Sequence, residues 1–122
     1  MARVFTQASA KSMGLPGRKS IEIASQSMGT ENVTLRYVEI PVAQAGEAPR
    51  KPHRHDGFEE VIHVLEGSGC TEAASGSYPL AAGDTIVMPS GEWHATRNTG
   101  NSTLKLLCFF PVGDIAARTS NG

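Results

Sequence analysis

The apolar positions of this chain fall in short alternating runs, not in helical stripes. In VTLRYVEIP, EEVIHVL, DTIVMP and TLKLLCFF, β-branched and aromatic residues dominate, and side chains that alternate with period two build half-buried strands. Apolar spacing at i, i+3, i+4, i+7 nowhere persists for three turns, so no amphipathic helix is expected. The pattern predicts strands at Ser20–Ala24, Val33–Pro41, Lys51–His55, Glu60–Leu65, around Cys70, and at Ser77–Leu80, Thr85–Met88, Trp93–Arg97 and Thr103–Phe110. Only Gly113–Arg118 looks weakly helical.

The breaks between these runs carry turn chemistry, as in Glu66-Gly67, Ser75-Gly76, Ala82-Gly83-Asp84, Pro89-Ser90-Gly91 and Thr99-Gly100-Asn101. Many short strands at regular spacing predict an all-β sandwich or small barrel. Within the last run, Lys105 belongs in water, so alternation turns Leu104, Leu106, Cys108 and Phe110 inward and leaves Leu107 and Phe109 on the outer surface. Apolar residues there point to cover by another sheet or subunit. Residues 1–20 are polar and patternless, and they read either as a loose arm or as an edge strand pairing with another subunit.

Charge narrows the partners. Eleven Lys+Arg against twelve Asp+Glu give a net charge of −1, without the basic excess that binding a phosphate backbone requires; no nucleic-acid partner is expected. The N-terminal MARVFTQASAKSMG has no apolar core of signal-peptide length, and no window reaches the roughly 20 apolar residues of a membrane span. The expectation is a soluble, cytoplasmic protein with no membrane partner. Cys70 and Cys108 lack metal-type CxxC spacing and read as reduced thiols.

Candidate chemistry concentrates in HRHDGFEEVIHVLEG, residues 53–67, which holds three of the four histidines. In an extended strand His53 and His55 project to the same side, about 6 to 7 Å apart, a separation that suits two imidazoles on one metal. Asp56-Gly57-Phe58 can then turn the chain so that Glu59 or Glu60 returns beside them. The competing reading is a pair of solvated histidines on a basic edge with Arg50, Lys51 and Arg54. Two imidazoles and a carboxylate suit a divalent transition ion, whereas oxygen ligands alone would suit Ca²⁺ or Mg²⁺.

A second stretch, GDTIVMPSGEWHATRN, places Gly83, Pro89, Gly91, His94 and Asn98 at the spacing G-x5-PxG-x2-H-x3-N. With five fixed positions, a chance match at a given start is on the order of one in a million. In these residues the chain resembles a small single-domain cupin. The family's first motif is met at His53, His55, Glu60 and Gly67, with Gly46 one residue early for its leading glycine, and the resemblance covers about residues 33–111. Fifteen residues separate Gly67 from Gly83. Six residues lie between Glu60 and Gly67, so the motif selects Glu60 over Glu59, which reads as a solvated turn residue.

The resemblance implies a double-stranded β-helix, or jelly-roll barrel, over residues 21–112, with an arm at 1–20 and a tail at 113–122. It implies one divalent transition metal on His53, His55, Glu60 and His94, with iron or manganese favoured over zinc, nickel or copper, and two positions left open. It also implies a homodimer. Ligand histidines need acceptors on their second ring nitrogen, which the sequence does not identify. Alternation from Glu60 puts Ile62 and Val64 on the metal side and His63 on the other face, as a packed or interface residue. Trp93 likewise points outward.

Three further residues are candidate substrate contacts: Arg36, as a barrel-facing guanidinium for a carboxylate; Thr96; and Cys108, whose competing role is a small core filler. Asn98 reads as a turn cap. The expected function is a metal-dependent enzyme of dioxygenase, decarboxylase or lyase type acting on a small organic acid or oxygenated aromatic. The alternative is a non-enzymatic module that binds or senses a small molecule.

Overall fold

The computed structural model describes all 122 residues. Eleven strands run β1 (Lys11–Ser12), β2 (Lys19–Ala24), β3 (Thr34–Ile40), β4 (His53–His55), β5 (Glu60–Glu66), β6 (Ser68–Ala73), β7 (Gly76–Ala81), β8 (Thr85–Met88), β9 (His94–Asn98), β10 (Leu104–Phe110) and β11 (Thr119–Asn121). They form two antiparallel sheets, one of six strands in the order β1-β2-β3-β10-β5-β8 and one of five in the order β11-β4-β9-β6-β7. The chain is all-β, with its inner faces packed as a barrel-like sandwich.

Alternation decides which side chains meet in the core. Along β5, Glu60, Ile62 and Val64 are buried, and along β10 Leu104, Leu106, Cys108 and Phe110 are. Apart from Glu60, these residues join Val38, Ile40, Phe58 and Met88 in the apolar core. Val64 is fully buried and Leu104 is 1% exposed. Phe109 and Leu107 take the outer face, where Phe109 is exposed and Leu107 half-buried.

Gly67 is the single residue between β5 and β6, where the chain crosses from one sheet to the other. Its φ of 87° lies in the left-handed region, and a Cβ there would sit 3.0 Å from the Thr103 carbonyl oxygen. Glycine meets both demands because it has no side chain to clash. The Pro89-Ser90-Gly91 turn ties the two motif stretches together: Gly91 N–H donates to the His55 carbonyl at 2.7 Å, and the Ser90 hydroxyl accepts from Gly57 N–H at 2.7 Å.

The ends of the chain depart from the sequence reading. Lys11 and Ser12 pair with Glu22 and Ile21 of the same chain, so this part of the N-terminal segment adds an edge to its own sheet. Of the tail, only Ala116–Arg118 is helical, as one 3₁₀ turn, and Thr119–Asn121 pairs with β4. A three-residue strand has no room for a period, so alternation could not reveal it. Both cysteines are free. No helix is long and apolar enough to cross a membrane.

Candidate metal centre

His53 and His55 project inward from β4, with Arg54 between them turned out to stack on Trp93 at 4.9 Å. The β4–β9 register sets His53 opposite His94, and their ring centroids are 4.4 Å apart. Glu60 opens β5 on the facing sheet and reaches across to the imidazoles. The ligand atoms of His53, His55, Glu60 and His94 all lie within 4.8 Å of one another. His55, Glu60 and His94 are buried and His53 is half-buried.

The hydrogen bonds around this quartet fix which ring nitrogens carry protons. Thr119 Oγ1 donates its only hydrogen to the Ile115 carbonyl at 2.6 Å, so at 2.9 Å it accepts from His55 Nδ1–H. His94 Nδ1–H donates to the Glu92 carbonyl at 2.9 Å, because a carbonyl only accepts. In the neutral rings both Nε2 atoms are therefore bare lone pairs, and both face Glu60 Oε1, at 3.3 Å from His55 and 2.9 Å from His94. His55 Nε2 is buried with no hydrogen-bond partner.

Two lone pairs and a carboxylate oxygen aimed at one region form a site that a cation can satisfy. A proton on His94 satisfies one contact and leaves His55 orphaned, whereas a metal ion satisfies the whole set. The donor set fits such an ion, and for His55 and His94 the second-nitrogen acceptors that metal-bound histidines require are already in place.

The charges follow from this crowding. Burial alone raises the Glu60 carboxyl, but His55 and His94 outweigh it and hold it at about 2. Burial pulls His94 down, yet the Glu60 carboxylate prevails and raises it above its ordinary value. His53 is held down at about 3, by burial first and then by the charge of His94.

The quartet forms part of the wall of a cavity of about 310 Å³. Arg36, Thr96 and Cys108 also line it. Arg36 is committed to Glu22, with its Nε and Nη2 at 3.1 and 3.0 Å from the same carboxylate oxygen. The Thr96 hydroxyl is paired with that of Thr71 at 2.7 Å. Burial and the negative charge of Glu60 push the Cys108 thiol well above its ordinary value, so it stays protonated.

His63 lies on the outer face, its Nδ1 2.8 Å from the Thr85 hydroxyl, and Glu59 is exposed. Asn98 caps the turn into β10, donating to the Ile40 and Ser102 carbonyls and accepting from Gly100 N–H. Four partners in and around the cavity had no signal in the sequence: Arg18 and Arg50, which line it, and Thr119 and the Glu92 carbonyl, which orient imidazoles. Arg50 read as part of a basic edge, and Arg18 sits in the patternless arm.

The cupin domain matches residues 37–110. The chain belongs to the cupin family. This cupin is 38% identical over 55 residues to an oxalate-binding protein of Thermotoga maritima, a stretch covering 45% of this chain and 46% of that one. The match thus spans under half the length of that relative.

Among solved structures, this cupin resembles one from Thermotoga maritima described as a predicted oxalate decarboxylase, with a TM-score of 0.73, 21% identity, and 90% and 99% of the two chains covered. It also resembles the polyketide cyclase RemF of Streptomyces resistomycificus, with a TM-score of 0.75, 20% identity, and 99% and 85% covered. At such identities these likenesses establish the fold.

Proposed function

We propose that this cupin holds one divalent transition metal on His53, His55, Glu60 and His94 and is a metal-dependent enzyme acting on a small organic acid or oxygenated aromatic. The observation that carries this reading is the pair of bare Nε2 lone pairs converging on Glu60, one of them buried and unpartnered. A set of three nitrogens and one carboxylate accepts iron, manganese, zinc, nickel or copper, and the resemblance to the family makes iron or manganese the first choice. When bound, such an ion supplies Lewis-acid or redox chemistry at positions the four side chains leave open.

The chain's own residues have separable tasks. Thr119 and the Glu92 carbonyl hold the imidazoles of His55 and His94 with their lone pairs inward. Glu60 adds the negative charge that favours a cation over neutral histidines. Val38, Ile40, Leu106 and Phe110 give the cavity an apolar wall, which strengthens every charge interaction inside it by excluding water. The arginines lining the same cavity favour an anionic substrate.

Turnover tests this directly. The chain stripped of metal and reloaded with Fe(II) or Mn(II) is screened against organic acids and phenols, with and without air. Metal-dependent turnover abolished by Glu60→Gln supports the reading, and turnover that survives chelation and Glu60→Gln contradicts it. A second reading, a binding module without catalysis, is favoured by the oxalate-binding relative. Ligand binding with no turnover for any acid or phenol selects it.

The proposal extends to a cytoplasmic homodimer. Leu35, Phe109, Val61 and Val87 lie side by side across β3, β10, β5 and β8 on the outer face of the six-stranded sheet. Val87 is 53% exposed and Phe109 36%, and an apolar row of this kind suits a second copy.

A further inference from the structure

The charge balance of the cavity is lopsided in a chain whose net charge is −1. Arg18, Arg36 and Arg50 all line it, against one lining carboxylate, Glu60. Glu22 neutralises Arg36. Arg18 and Arg50 have no acidic partner among the ion pairs of the chain.

Each of these two spends one donor on a backbone carbonyl, Arg18 Nη1 on Pro16 at 3.3 Å and Arg50 Nη1 on Thr96 at 2.8 Å. A guanidinium carries five N–H donors, so most of their capacity is unspent. Both side chains are half-buried. Burial, and then the positive charge of Arg18, hold Arg50 down at about 10.

Keeping two partly desolvated cations close together without a counter-ion costs stability, and sites that break the rules of a stable fold are where function is expected. Much of the remaining cavity wall is apolar, with Val38, Ile40 and Leu106 from the barrel and Met13 and Leu15 from the N-terminal segment. The volume is at the lower end for small-molecule sites and equals roughly ten waters. A two-carbon diacid fills only part of it.

We propose that the cavity selects a dianion longer than oxalate, with one carboxylate at the quartet and the other clamped by Arg18 and Arg50, so that the N-terminal segment 13–18 sets selectivity. This rests on the proposed metal-dependent binding of small acids and adds a second anion subsite to it. Arg50 enters from the β3–β4 connection and Arg18 from the segment between β1 and β2. Two guanidiniums from separate segments can grip one carboxylate from both sides, with parallel N–H···O bonds from each. Arg36, held by Glu22, is then a wall residue and not the anchor.

The test is calorimetric titration of Mn(II)-loaded protein with acetate, oxalate, malonate, succinate and glutarate, repeated for Arg18→Gln, Arg50→Gln and Arg50→Lys. The expected result is that one of the three longer diacids binds at least about tenfold tighter than acetate. That ratio falls to about parity in the two Gln variants, because the longer diacid loses more affinity than acetate does.

Equal affinity for acetate and every longer diacid in the unaltered protein overturns the clamp and leaves the metal-site reading standing. So does a ratio indifferent to both Gln substitutions in variants whose circular dichroism is native. Oxalate binding tighter than any longer diacid, with no response to Arg18→Gln, places both carboxylates at the quartet and also overturns it. If no carboxylate binds at all, the organic-acid half of the proposed function falls together with the clamp. Should Arg50→Gln fail to fold, the ratio in the unaltered protein and in Arg18→Gln decides.

Discussion

Thr119 Oγ1 lies 2.9 Å from His55 Nδ1 while giving its own hydrogen to the Ile115 carbonyl. One hydroxyl thereby fixes the tautomer of a buried imidazole from a strand added at the far end of the chain, through the Thr119–His55 register of β11 and β4. Thr119→Val removes that acceptor at nearly constant volume. Metal affinity is expected to fall about 10- to 100-fold, and Thr119→Ser to restore most of it, as read by competition with a chelating dye. Equal affinities for all three proteins contradict the role given to Thr119.

Gly67 sits at φ 87° with its missing Cβ directed at the Thr103 carbonyl. Gly67→Ala is expected to destabilise the fold by about 1–3 kcal/mol, measured by urea unfolding. A change within about 0.5 kcal/mol, the ordinary range for a neutral surface site, would mean that the sheet crossing tolerates a side chain.

Most of the fold was legible because it rests on local alternation and two spaced motifs. In β5 and β10 one residue, Glu60 or Lys105, sets the parity of the whole strand. The motif glycines and Asn98 were legible as turn formers, and the hydrogen bonds of Asn98 bear that out. Thr119 was not legible, since its contact to His55 spans 64 residues and lies in a strand of three. Arg18 was hidden for a related reason: its place in the cavity depends on β1 folding back onto β2, and a two-residue strand has no pattern to detect.

Proton linkage gives the site a pH signature in the metal-free protein. His53 titrates at about 3 when folded against 6.5 ordinarily, so the unfolded chain binds the extra proton in that window and stability from His53 is lost as pH falls from 6.5 toward 3. Glu60, at about 2 against 4.5, adds a loss below 4.5. His94 runs the other way, since its raised value contributes stability at low pH that is lost as pH rises through it. The melting temperature is expected to fall between pH 6.5 and 4, and less steeply for His53→Gln. Identical slopes for the two proteins contradict the burial of a neutral His53.

The outer face makes a separate claim. Phe109→Asp or Val87→Asp puts a charge in the apolar row that joins β3, β10, β5 and β8, and light scattering is expected to report a dimer for the unaltered protein and a monomer for either variant. A monomer throughout would mean that this face is left to water.

The most direct measurement is metal content after reconstitution with Fe(II) or Mn(II) and gel filtration, for the unaltered protein and His94→Ala, with circular dichroism as the check on folding. The quartet predicts about one equivalent per chain in the unaltered protein and almost none in a natively folded His94→Ala. Equal metal in both, or none in either, would contradict the convergence of His53, His55, Glu60 and His94 on a single ion.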